Sequence, residues 1–161
     1  MTDVRWNQDF PAPLIPPERT FDGFLDLEWI ELTSTSARAR FEVRENLKQP
    51  MGLLHGGIYS AVAESVASVA TIRAVWRDGL VASGLNNCAS FLRPITAGAV
   101  DVTARLRHHT DRDWFWGHEF RDDRDRLCAL VDVTIAVRPR SDELATRAAR
   151  TRRPPQRAEK K

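Results

Sequence analysis

Cysteine is almost missing from this chain: Cys88 and Cys128 are the only two among 161 residues. Their spacing matches no metal-ligand or redox motif, so neither a disulfide framework nor a metal or redox cofactor is expected, and a cytoplasmic setting is the default. Long apolar runs are missing too. No stretch approaches the ~20 apolar residues of a membrane helix, because Glu64 and Arg73 interrupt the most apolar segment. The first residues, Met1 to Asp9, lack the apolar core of a secretory leader. Charge of one sign is not in excess either, with 24 basic and 22 acidic side chains. That balance hides an asymmetry. Arg138 to Lys161 holds nine Lys/Arg and three Asp/Glu, a net +6, which leaves −4 on the body against a total of +2. The basic tail has no interleaved aromatics to stack on bases, and the body shows no basic stripe. Nucleic acid and membrane are therefore not expected partners.

What remains is the composition of one globular domain, 42% hydrophobic and 29% charged. Residues 1–21, with Pro11, Pro13, Pro16 and Pro17, read as an irregular arm pinned by Trp6 and Phe10. Strands are expected over 24–33 and 36–44. In the second, Ala37, Ala39, Phe41 and Val43 alternate with Arg38, Arg40, Glu42 and Arg44. A loop over 45–54 leads into a helix from about 56 to 76, which Asp78-Gly79 breaks. Four more strands follow at 80–92, 99–109, 113–121 and 126–137, separated by polar turns. The order predicts an α+β fold, an antiparallel sheet with one central helix packed on it. Residues 139–161 read as a flexible tail with a short helical turn at 142–150.

The helix carries the chemistry. It starts at His55-Gly56-Gly57, where free backbone N–H groups and the positive end of the helix dipole can serve an oxyanion. Ile58, Val62, Val66, Val69 and Ile72 form an apolar side, and Ser60, Glu64, Ser68 and Thr71 form a polar row. Ala61, Ala63, Ala67 and Ala70 keep the helix slim enough for another backbone to approach. A solvated face would carry several charges, whereas Glu64 stands alone among small residues and is expected to be partly withdrawn from water. A carboxylate there can act as a base or nucleophile. Gly56 and Glu64 are nevertheless about 12 Å apart along one helix axis. Either the acyl-transfer reading fails or two copies of the chain build the site.

The combination of Gln49, Gly52, His55-Gly56-Gly57, Glu64 and Ser68, with the later Asn86-Asn87 and Phe91-Leu92-Arg93-Pro94, resembles the hotdog-fold acyl-CoA thioesterases. It is similar to the group containing phenylacetic-acid-pathway and 4-hydroxybenzoyl-CoA thioesterases, in the branch whose helix carboxylate is Glu. The likeness spans residues 22–138. It implies that two chains join into one continuous sheet with their helices antiparallel, and that two such dimers form a tetramer. By position it implies that the Gly56 N–H polarises the thioester carbonyl while Glu64 of the partner attacks it or activates water. Ser68 would orient Glu64, Gln49 and His55 would position the carbonyl, and Gly57 would add a substrate contact. Coenzyme A is then part of the substrate, and Arg93 and Arg112 are the candidates for its phosphates. A dehydratase or hydratase on the same fold, or a non-catalytic acyl-CoA sensor, are the alternative functions.

Overall fold

The computed structural model describes residues 15–141; the arm residues Trp6, Phe10, Pro11 and Pro13 and the expected helical turn at 142–150 lie outside them. After a 3-10 turn at Pro17–Arg19, α1 (Phe21–Leu25) replaces the start of the strand expected over 24–33. The Thr20 hydroxyl caps it by accepting from the Gly23 N–H, and Asp26 ends it at φ 54°. Only then does β1 (Glu28–Leu32) begin. It is followed by β2 (Ser36–Glu42), α2 (Gly56–Val75), β3 (Leu80–Phe91), β4 (Ala99–His109), β5 (Asp113–Asp122) and β6 (Leu127–Pro139). The strands form one antiparallel sheet in the order β1-β2-β4-β5-β6-β3.

Period-two alternation puts one face of each inner strand into the core: Ala37, Ala39 and Phe41; Val100, Val102 and Ala104; Trp116, His118 and Phe120; Val131, Val133 and Ile135. Helix α2 lies on that face, chiefly against β3 and β6. Its buried side comprises Ile58, Tyr59, Val62, Ala63, Val66, Ala67, Ala70, Thr71 and Val75. Three of the four alanines therefore bring the helix close to its own sheet, and Val69 and Ile72 are only partly buried. With its trailing turn the segment Gly56–Asp78 is long and apolar enough to cross a membrane by length and composition, contrary to the reading of the sequence. Its packing is that of a core helix, with one face seated on the sheet.

Thr71 does not belong to the polar row. It is fully buried, and its Oγ1 accepts a hydrogen bond from Trp116 Nε1 at 3.0 Å. Thr71→Val keeps the shape but leaves that indole N–H buried without an acceptor, so a loss of about 1–3 kcal/mol is expected in urea unfolding.

The two sheet edges differ sharply. β1 is five residues long and bulged. β3 is twelve residues long, Leu80–Phe91, without a single charged side chain, and Leu85 and Phe91 on it are exposed. Long, uncharged edges are templates for pairing with another chain.

Candidate active site

The loop before α2 is fixed by its backbone. The Gln49 N–H donates to Leu53 O at 2.8 Å, the Gly52 N–H donates to Gln49 O at 2.9 Å, and Gly52 turns at φ +80°. The His55 N–H donates to Leu47 O at 2.9 Å, which ties the helix start to a buried leucine. His55 is also the N-cap of α2: its Nδ1 accepts from the Gly57 N–H at 2.9 Å. A ring whose Nδ1 accepts carries its proton on Nε2 when neutral, so Nε2–H is the donor left for a ligand. This pairing corrects the expectation for Gly57, whose N–H is already taken. Among the described residues no acceptor meets the Gly56 N–H.

Gly56 allows a close approach. A Cβ on it would stand 3.0 Å from the exposed Phe91 ring, which would have to move by a few tenths of an ångström to cover this turn of backbone. Around the pair lies a cavity of about 530 Å³ lined by residues of three segments: the loop, the first turn of α2 and the end of β3. Gln49, His55, Gly56 and Arg93 all line it, together with Tyr59 and Phe91. Arg93 is exposed at its rim, with Nη1 donating to Leu127 O at 3.0 Å and its N–H to Cys128 O at 3.0 Å. Four residues singled out from the sequence are thus gathered at one helix start. Tyr59 was not singled out, although its place three residues after Gly56 puts it on a neighbouring turn of the same helix.

Glu64, Ser68 and Arg112 are elsewhere. Glu64 is exposed in the single chain, which does not supply the expected desolvation. Its side chain lies over the backbone of β3, where a Cβ on Gly84 would stand 2.8 Å from Oε1. Ser68 follows one turn later on the same face and is half-buried. Arg112 lies in the β4–β5 turn, its carbonyl accepting from the Val137 N–H at 2.7 Å. On β6, Ala129 faces Phe91 and Ala136 faces Asp113, so Arg112 stands roughly 23 Å along the sheet from the cavity. One chain therefore presents a donor-lined cavity at one end of α2 and its carboxylate farther along. Trp116 is buried, and Trp114 packs on the core beside His109. His108 stacks on Phe115.

Residues 51–129 match the thioesterase superfamily. A protein of Mycobacterium tuberculosis (strain H37Rv) named as an esterase is 40% identical over 132 residues, 79% of this chain and 91% of its own. The chain belongs to the thioesterase superfamily. A 1,4-dihydroxy-2-naphthoyl-CoA hydrolase of Escherichia coli (strain K12) is 33% identical to this thioesterase over 115 residues, 71% of this chain and 84% of that one. Among solved structures, a Pseudomonas aeruginosa thioesterase superposes with a TM-score of 0.72 at 27% identity, covering 76% of this chain and 88% of that one. The long central helix on an antiparallel sheet is accordingly the hotdog fold, and the protein is a thioester hydrolase.

Proposed function

We propose that this thioesterase hydrolyses acyl-CoA thioesters at a site completed by a second copy of the chain. The observation that carries the reading is the separation of the two halves: a cavity at the Gly56 N–H, and Glu64 about 12 Å further along the same helix. In one chain Gly56 sits over Phe91, and Glu64 sits over Gly84. An antiparallel β3–β3 pairing that sets Gly84 opposite Phe91 of the partner subunit brings Glu64 to Gly56 of the partner subunit. The same two-fold covers the uncharged β3 edge and produces two identical sites. It also carries the Arg112 end of the sheet toward the partner's cavity, where Arg93 already stands at the rim.

In that site the thioester carbonyl accepts from the Gly56 N–H, aided by the helix dipole, and from His55 Nε2–H. Charge gathers on this oxygen as the carbonyl carbon becomes tetrahedral. Glu64 takes the proton from a water that attacks the carbon; the C–S bond breaks, the proton passes to the sulfur, and the acid and the CoA thiol leave. In the covalent variant a Glu64 oxygen attacks first, CoA departs, and water then cleaves the resulting anhydride. Ser68 is placed to orient Glu64, and Gln49 to hold the carbonyl. No metal enters either route. The phenylacetic and 4-hydroxybenzoyl type of acyl group, supported by the naphthoyl-CoA hydrolase among the relatives, makes aromatic acyl groups the favoured class.

The test is a panel of aromatic and aliphatic acyl-CoA thioesters with release of the CoA thiol followed directly. Turnover of the aromatic members, higher than of the aliphatic ones, is the expected result. Binding without turnover across the panel would end the acyl-CoA hydrolase reading.

A further inference from the structure

Tyr59 is held more tightly than a cavity wall requires. Its ring packs edge-on against Phe120, with centroids 5.2 Å apart and planes at 78°, and tilts against Phe91 at 5.5 Å. The residue is only 4% exposed. Among the described residues its hydroxyl has no hydrogen-bond partner, although a buried phenol normally finds one. It is not sealed in like the orphaned Trp29 Nε1 and His118 Nε2. The residue instead lines the cavity. An unpaired donor on a rigid residue that lines a ligand cavity can serve an acceptor on the ligand. Burial pushes the phenol up to about 12, so it keeps its proton throughout the neutral range.

The cavity has an order that selects the acceptor. At the helix start, the Gly56 N–H and His55 Nε2–H serve the thioester carbonyl. At the rim, Arg93 suits the phosphates of CoA. Tyr59 is three residues, about 4.5 Å of helix rise, from Gly56. Between the sulfur and the phosphates the pantetheine arm carries two amides, and the nearer lies two methylenes from the sulfur. We propose that the Tyr59 hydroxyl donates to the carbonyl of the amide nearest the sulfur, making Tyr59 a substrate-binding residue that reads the thiol half of the substrate. This rests on the acyl-CoA reading above.

Tyr59→Phe tests it, because the ring contacts with Phe120 and Phe91 survive and only the hydroxyl is lost. One acyl group is supplied on three thiols: CoA, N-acetylcysteamine, which keeps only the nearer amide, and ethanethiol, which has none. The variant is expected to melt like the wild type, to raise KM about fivefold for the first two, and to leave kcat unchanged. The ethyl thioester is expected to show no difference between variant and wild type. An unchanged KM for the CoA or the N-acetylcysteamine ester overturns the assignment, as does an equal penalty on the ethyl ester or a loss confined to kcat. A wild type inert toward every CoA thioester would instead refute the acyl-CoA reading itself, so the two failures are distinguishable.

Discussion

Glu64→Ala is expected to lower kcat for acyl-CoA hydrolysis by about a thousandfold while the protein stays folded. Glu64 is exposed in the single chain and makes no hydrogen bond or ion pair among the described residues. Its removal therefore belongs with surface substitutions, within about 0.5 kcal/mol in stability. The loss of rate has a different origin: without the carboxylate nothing beside the carbonyl can accept the proton of the attacking water. The proposed two-chain site gives this prediction a sharper form. Gly56→Val would press its side chain into the Phe91 ring and close the cavity floor, abolishing turnover by itself. Each variant then carries one dead half and one sound half. When the two are unfolded together and refolded, half of the dimers are mixed, and each of those has one complete site, Gly56 from one chain and Glu64 from the other. Activity should return to about a quarter of the wild-type level. A site built within one chain would give no recovery, and neither would a monomer, because every chain would carry one lesion.

Much of the fold is legible in the sequence because strand alternation is a local property. Ala37, Ala39 and Phe41, or Trp116, His118 and Phe120, declare an inward face without reference to any partner. The sheet order is not local, and nothing between Leu80 and Phe91 reveals that this stretch forms an edge beside β6. Thr71 shows the same limit on a smaller scale. Spacing aligns it with Glu64 and Ser68, but its acceptor role depends on Trp116, 45 residues away in sequence. At the site, Gln49, His55, Gly56 and Arg93 could be named in advance because the helix start and its glycines follow from residue type. The sequence suggests a free N–H at Gly57 because a cap made by the histidine ring itself leaves no trace in spacing. The isolation of Glu64 is legible in the sequence, but its exposed place over Gly84 is not, because it depends on how α2 lies across β3.

Lowering the pH from 7 to 5 is expected to destabilise the fold by about 2 kcal/mol through His118. The side chain is fully buried on β5, and its Nδ1–H donates to Val131 O at 3.1 Å. Nε2, the nitrogen that would have to take a second proton, has no partner. Burial depresses the ring from 6.5 to about 4; the Val131 carbonyl and Asp132 oppose this, and Arg107 reinforces it. Between those values the unfolded chain binds a proton that the native chain refuses. Stability therefore falls as the pH drops through 6.5 and levels off near 4. Asp122 does not share this window, since hydrogen bonds from Arg126 hold its carboxyl down to about 2. Urea midpoints measured at pH 7 and pH 5, at one protein concentration, should shift for the wild type and shift much less for His118→Leu. The comparison of slopes matters more than absolute stability, because leucine also changes the packing beside Trp116 and Phe120. Equal shifts in both proteins would place the acid sensitivity elsewhere and show that the buried ring takes its second proton without difficulty.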